Sequence, residues 1–309
     1  MTWKQLGQRL PMSRTLAAVA SVAAVVGAAA WAASQPATSL ASTCGSGYYT
    51  SGTCPGYWVA TQSGHIYSFG KAPFEGSPAS RGYTGDNVVA LAPSPAGAGY
   101  WTLTANDHVF AFGDAPFEGS PYALGYRQSN AVGLAASPSG HGYWAVTANG
   151  RVFGFGGAGF FGSPFQRKYG ITNFVGIAAT PTGMGYWTVT ANGRVFGFGD
   201  AGFFGSPFQR KYGITNFVAL QGTSLGMGYW FQTANGRMFG FGDAGFFGSP
   251  LASGLRLDNA VGFAATTDSM GYWIATANGR VFSYGDAPFQ GSPMSTGRHL
   301  TDVVAIARS

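Results

Sequence analysis

The chain has 309 residues, of which only 9% are charged, against about a quarter in an ordinary soluble domain. Its 50 glycines argue against a helical bundle, and its 16% aromatic content argues against disorder. The formal net charge is +6, and Glu75 and Glu118 are the whole supply of glutamate, which leaves little for an array of catalytic carboxylates.

At the N-terminus, residues 1–14 carry Lys4, Arg9 and Arg14 and no acid, and residues 15–33 carry no charge. This is the layout of a secretory signal peptide, with Ala30 and Ala32 offering a small-residue cleavage site. An uncleaved membrane anchor is the alternative, because a stretch of this length just spans a bilayer. A tail over 35–51 follows. Cys44 and Cys54 are the two cysteines of the chain, and in an oxidising compartment they are expected to form a disulfide loop.

From residue 52 onward the chain is a repeat. Gly-Tyr-Trp begins at Gly56, Gly99, Gly142, Gly185, Gly228 and Gly271, each step being 43 residues. Each unit predicts four short strands. An apolar run comes first, such as 88–92 (VVALA), and a Gly-Tyr-Trp strand follows it. A hairpin comes next, marked by Asn-Gly at 149–150, 192–193, 235–236 and 278–279 and expected to be a type I′ turn. A third strand such as 151–156 (RVFGFG) and a fourth such as 160–163 (FFGS), closed by Pro164, complete the unit.

The ends of the repeat are offset in a circular way. The first Gly-Tyr-Trp has no apolar run before it, and the sixth apolar run, Val303 to Ala307, has no Gly-Tyr-Trp after it. The C-terminal run is therefore the missing strand of the first unit. The predicted fold is all-β: a six-bladed β-propeller of four-stranded antiparallel blades over 52–309, closed by the C-terminal strand. An open solenoid is the competing architecture, but solenoids end in atypical capping repeats, and these terminal units keep the motif.

The unit resembles a repeat of secreted actinobacterial proteins, GYW followed by G-x-V-F-x-F-G-D-A-x-F-x-G-S, and the resemblance covers all six units. Its strand order is also similar to that of six-bladed YWTD propellers, although the Asp of that motif is missing. The resemblance implies a surface or cell-wall binding module and supplies no ligand.

Trp58, Trp101, Trp144, Trp187, Trp230 and Trp273 could be sugar-stacking platforms, but packing between blades is the preferred reading, since burying a large aromatic is worth roughly 2–3 kcal/mol. Phe153, Phe155 and Phe160 are expected in the core. Asp114, Asp200, Asp243 and Asp286, in Gly-Asp-Ala, are expected to bond backbone in turns. None of the four histidines has a metal-ligand or triad spacing, so no metal and no cofactor is expected.

Strand order then sorts the charge. The hairpins bring Arg151, Arg194, Arg237 and Arg280 to one rim. The variable connections bring Arg81, Arg127, Arg256 and Arg298 to that rim, together with Arg167, Lys168, Arg210 and Lys211. Four acids, Asp86, Asp107, Asp258 and Asp302, stand against them. Tyr169 and Tyr212 adjoin the basic pairs. The opposite rim takes Lys71 and the Gly-Asp-Ala acids. A basic aromatic rim suits an anionic polymer.

The sequence therefore predicts a monomeric, secreted or cell-surface, non-catalytic propeller. Its partner would be a glycan, a cell-wall or extracellular polysaccharide, or an envelope protein; nucleic acid is not expected, and membrane contact would come only through residues 15–33. The alternatives are a propeller-fold glycosidase or lyase, or a protein-interaction scaffold at the envelope. Glu75 and Glu118 sit at equivalent places on adjacent units, are expected on outer strands, and are a poor converging pair for glycoside cleavage.

Overall fold

The structure is a computed structural model and describes residues 55–309. The predicted signal segment, the tail and the Cys44–Cys54 pair lie outside the described residues. Eighteen strands form six antiparallel sheets. In chain order they are β1 (Tyr57–Thr61), β2 (Ile66–Phe69), β3 (Val88–Pro93), β4 (Gly99–Thr104), β5 (Val109–Gly113), β6 (Ala131–Ala136), β7 (Gly142–Thr147), β8 (Val152–Gly156) and β9 (Phe174–Ala179). The remainder are β10 (Gly185–Thr190), β11 (Val195–Gly199), β12 (Phe217–Gly222), β13 (Gly228–Thr233), β14 (Met238–Gly242), β15 (Ala260–Ala265), β16 (Gly271–Thr276), β17 (Val281–Gly285) and β18 (Val303–Arg308).

Each sheet places its Gly-Tyr-Trp strand in the middle, with the apolar run on one side and the third strand on the other. The burial patterns follow from this placement. The middle strands are buried along their whole length, as in Gly185–Thr190, because a neighbouring blade covers each face. The third strands are only partly covered: Val195 and Phe198 are buried, while Gly197 and Gly199 are exposed at the outer edge of the sheet. The six apolar runs lie next to one another in a closed ring, with β18 beside both β15 and β3. Small residues suit that crowded position: a Cβ on Gly133 would lie 3.0 Å from the Cα of Gly176 in the next blade.

The ring closes as the circular offset predicts. β18 pairs with β1, with Trp58 opposite Ala307 and Val59 opposite Ile306. The Ser309 N–H donates to the Gly56 carbonyl (3.0 Å), and the Gly56 N–H donates to the Ser309 hydroxyl (3.0 Å). Blade 1 is thus made of β18, β1 and β2, and blades 2 to 6 follow in order.

Two local expectations are corrected. The blades are three-stranded: the fourth segment joins no ladder. It is held by side chains instead. The Trp187 indole donates to the Gly202 carbonyl (2.6 Å), and the Tyr229 hydroxyl of the next blade donates to the Gly205 carbonyl (2.6 Å) and accepts from the Phe204 N–H (3.1 Å). All six blades repeat this arrangement. Proline at 73, 116 and 288 in three of these segments removes a ladder donor from the outset.

The hairpins are not type I′ turns either. Gly193 is left-handed (φ 78°) while Asn192 is not, and the Gly193 N–H donates to the Thr190 carbonyl (2.9 Å). This is a type I turn followed by a glycine bulge, the usual three-residue hairpin loop. Thr190 adds a clamp, its hydroxyl accepting from the Arg194 N–H (2.9 Å).

The core consists of six packets, one between each pair of adjacent blades. Trp187, Val189, Phe217, Leu220, Tyr229 and Phe231 make the packet between blades 4 and 5. The six Trp and the six Tyr of Gly-Tyr-Trp are among the largest fully buried side chains. Phe155 is buried and Phe153 partly so, but Phe160 is 52% exposed, contrary to expectation. Its equivalents Phe74, Phe117, Phe203, Phe246 and Phe289 are exposed as well. With no fourth strand, their side chains turn away from the sheet.

Candidate functional site

Backbone bonds define the two rims. On the first, each connection docks on the hairpin of its own blade: the Phe165 N–H donates to the Gly150 carbonyl (3.1 Å), and Phe208 repeats this with Gly193 (3.2 Å). On the second, the Asp200 N–H donates to the Met184 carbonyl (3.1 Å), beside the turn that joins the inner and middle strands. Strands of five or six residues, rising about 3.3 Å per residue, keep the rims roughly 15–20 Å apart. The hairpin and connection residues thus share the first rim, and the Gly-Asp-Ala acids share the second.

The guanidinium groups of the first rim rest on rings. Arg151 lies 4.0 Å from the centre of Phe165, and Arg194 lies 4.0 Å from Phe208, each in its own blade. Arg237 stacks on Phe239 at 5.6 Å and Arg280 on Phe282 at 4.8 Å. Arg167 and Arg210 instead reach forward onto the next blade, 5.2 Å from Phe198 and 5.9 Å from Phe241. Tyr169 and Tyr212 cross the same seams, stacking on Phe196 (5.2 Å) and Phe239 (5.6 Å). These four side chains lie between blades on the outer wall, below the rim where their backbone starts. Sequence reasoning missed this seam, because its partner residues are about thirty positions ahead in the chain.

Lys168 and Lys211 are exposed and have left-handed backbones, φ 55° and 56°. Arg167, Arg210 and Arg237 are exposed too, while Arg151, Arg194 and Arg280 are half-buried. The Nε atoms of Arg151 and Arg194 are buried without a hydrogen-bond partner among the described residues. Stacking holds each guanidinium in place and leaves its outer N–H groups for an acceptor.

Three of the Gly-Asp-Ala acids, Asp200, Asp243 and Asp286, bond side chains, where backbone partners were expected. Asp200 accepts from the Thr180 hydroxyl (2.8 Å) and from Thr182, and Asp243 accepts from Thr223 (2.8 Å). In blade 6, Asp268 and Asp286 share the Thr266 hydroxyl, at 2.9 and 3.0 Å. Burial raises the Asp268 carboxyl, but hydrogen bonds from Thr266 and the Met270 N–H outweigh it and leave its pKa below the usual value. Met184, Met227 and Met270 are exposed on this rim, on three consecutive blades.

Blade 2 departs from the others. Asp107 replaces the hairpin glycine (φ 75°) and is fully buried, accepting from the Ser129 N–H (3.1 Å). Burial raises its pKa. Its neighbour His108 stacks on Tyr122 at 3.8 Å, and burial lowers the imidazole pKa. The carboxylate of Asp107 fills space that Phe174 of blade 4 occupies beside Gly150 in blade 3, because the residue equivalent to Phe174 beside Asp107 is the small Ala131 of blade 3. Glu75 and Glu118 are exposed on fourth segments of adjacent blades, off any strand.

These features define a closed six-bladed β-propeller with one rim of stacked basic side chains. Comparison with solved structures agrees on the fold. The chain is similar to one from the crystal structure of a nidogen/laminin complex, with a TM-score of 0.55 and 11% identity over 82% of this chain and 98% of that one. A β-propeller domain from Myceliophteria thermophila aligns with a TM-score of 0.43 and 14% identity, over 72% of this chain and 73% of that one. No protein-family model matches the chain, and no curated protein matches it significantly. The likeness concerns the fold.

Proposed function

We propose that this chain is a non-catalytic binding propeller of the cell surface or extracellular space, and that it holds an anionic cell-wall polymer or glycan on its basic rim. One observation carries the reading: twelve Arg and Lys residues start from the hairpin and connection loops of one rim, while the Gly-Asp-Ala acids stand on the other. Such a face attracts polyanions over about a Debye length, roughly 10 Å at 0.1 M salt. Catalysis is the weaker reading. Glu75 and Glu118 sit one blade apart, and near-perfect repetition serves multivalent binding better than a single reaction centre.

The test is binding of the full chain to isolated cell-wall polymers and to neutral glycans across a salt series. The expected result is binding to acidic polymers that weakens as salt rises. Equal binding to neutral glycans, unaffected by salt, would replace this reading with stacking on exposed rings. A second reading, an envelope-protein scaffold, draws on exposed Met184, Met227 and Met270 on the acidic rim and on the fold shared with a chain of a protein–protein complex.

A further inference from the structure

Two neighbouring blades present the same basic loop, and its backbone is strained at a cation. Residues 163–174 and 206–217 have one sequence, SPFQRKYGITNF. Lys168 and Lys211 hold the left-handed conformation inside it. In the other four blades the same place is taken by Gly82, Gly125, Gly254 and Gly297, with φ between 79° and 84°. A Cβ at any of those glycines would find no atom within 4 Å. Lys168 and Lys211 are exposed, and they carry the backbone strain that glycine avoids in the other four blades. Strain of this kind collects where a side chain is used.

Next to each lysine in the chain, an arginine and a tyrosine reach across a seam between blades. Between blades 4 and 5, Phe204, Arg210, Tyr212, Phe239 and Phe241 line a groove of about 330 Å³ along the outer edge of β14. The Tyr212 ring lies nearly parallel to Phe239, at 28°, with about half of the residue exposed. Between blades 3 and 4, Tyr169 meets Phe196 at 29°, and Arg167 stands over Phe198 as Arg210 stands over Phe241. Each seam combines a stacked guanidinium, an adjacent ammonium and an open phenol face. A guanidinium takes a carboxylate or phosphate through paired N–H bonds, and an aromatic face takes the apolar side of a sugar ring.

We propose that the two seams form a tandem site for a linear anionic polysaccharide. Each Arg-Lys pair, Arg167 with Lys168 and Arg210 with Lys211, would hold one acidic group, with the sugar beside it against Tyr169 or Tyr212. The inference rests on the basic-rim reading and narrows it from the whole rim to blades 3 to 5. Two weak subsites one blade apart gain affinity only from a ligand long enough to fill both.

The experiment is calorimetry on the full chain with polygalacturonate, a hexose phosphate polymer, their monomers and neutral dextran. The variants are Arg167→Ala with Lys168→Gly, Arg210→Ala with Lys211→Gly, and all four changes together. The control, Lys71→Ala, lies on the opposite rim, and a comparison pair, Arg256→Ala with Arg298→Ala, removes rim charge outside the two seams. Each seam pair should lower affinity for the polymer about tenfold or more, as loss of one arm of a bivalent contact does. The fourfold variant should lose it, the comparison pair should lower it less than either seam pair does, and Lys71→Ala should change it less than about twofold, as expected of a peripheral charge. The Lys→Gly changes should leave the melting temperature unchanged or raised, which separates binding from folding. The carboxylate and phosphate arms identify the acidic group. Losses from the comparison pair equal to those from a seam pair would overturn the tandem site and leave the basic rim standing, as would seam variants that bind like the parent. If the parent binds neither polymer, both readings fall.

Discussion

The indole of Trp273 in blade 6 packs against the phenol of Tyr57 in blade 1, with ring centroids 5.4 Å apart and planes tilted by 49°. The same contact joins Trp58 to Tyr100 at 5.0 Å and Trp187 to Tyr229 at 5.7 Å, and it recurs at each remaining seam. Tyr57 also donates its hydroxyl to the Gly291 carbonyl and accepts from the Gln290 N–H at 3.2 Å. The closing seam, between the first and last blades, is therefore bonded like the five internal ones. Each indole grips the fourth segment of its own blade, and the next phenol grips the same segment a few residues later. Stability is shared between neighbours around a ring.

Removing residues 301–309 should unfold the ring as a unit. The truncation deletes β18 and leaves the inner edge of β1 unpaired, an exposed edge of the kind that invites aggregation. Thermal denaturation should show loss of the parent transition. A truncated chain melting like the parent would contradict closure through β18.

Trp187→Ala should cost about 3–5 kcal/mol, the usual range for a buried large aromatic. Trp187→Phe should cost less, yet it still removes the donor to the Gly202 carbonyl. Chemical denaturation of both variants measures the two contributions. An alanine variant as stable as the parent would show that the indole does not hold the seam.

Tyr229→Phe keeps the packing and deletes the clasp. The Gly205 carbonyl and the Phe204 N–H then lose their partner, at a cost of about 1–3 kcal/mol if they stay dry. Hydrogen exchange at Phe204 reads this directly and should speed up in the variant.

Alkaline pH should loosen every seam together. Burial pushes the phenols of Tyr100, Tyr143, Tyr186, Tyr229 and Tyr272 up to about 12, from the ordinary tyrosine value of 10.0, and raises Tyr57 as well. Their folded pKa lies above the unfolded one, so the stabilisation is fully present below pH 10 and is lost as the pH climbs toward 12. Melting temperature should fall steeply over that interval. A flat profile there would mean that the phenols ionise without opening the ring.

Gln232→Val should stabilise the protein. Gln232 is fully buried, and neither its amide nitrogen nor its oxygen has a partner among the described residues. Valine fills the equivalent place in blades 3 and 4, as Val146 and Val189. The gain should be about 1–3 kcal/mol, the cost of an unsatisfied buried polar group. A loss of stability would indicate that the amide is hydrogen-bonded in solution.

The architecture was legible because it is written in local patterns. The 43-residue step and the orphaned run at Val303–Ala307 each depend on residues close in sequence, or on counting. They were enough to define six blades and the strand that closes them. The fourth segment read as a strand because Phe160, Phe161 and their equivalents have strand propensity. Propensity does not say whether a ladder is available, and the Trp and Tyr clasps satisfy that backbone instead.

The placement of the charge divides in the same way. Strand order alone assigns the arginine backbones to one rim, since strand direction alternates and loops follow it. Where the guanidiniums go was decided by the rotation from one blade to the next. That rotation brings Phe198 under Arg167 and Phe241 under Arg210. A strand period of two tells which face a side chain leaves from. It carries no information about which residue of the next blade waits there, because that pairing exists only once the ring has closed and the seams have formed.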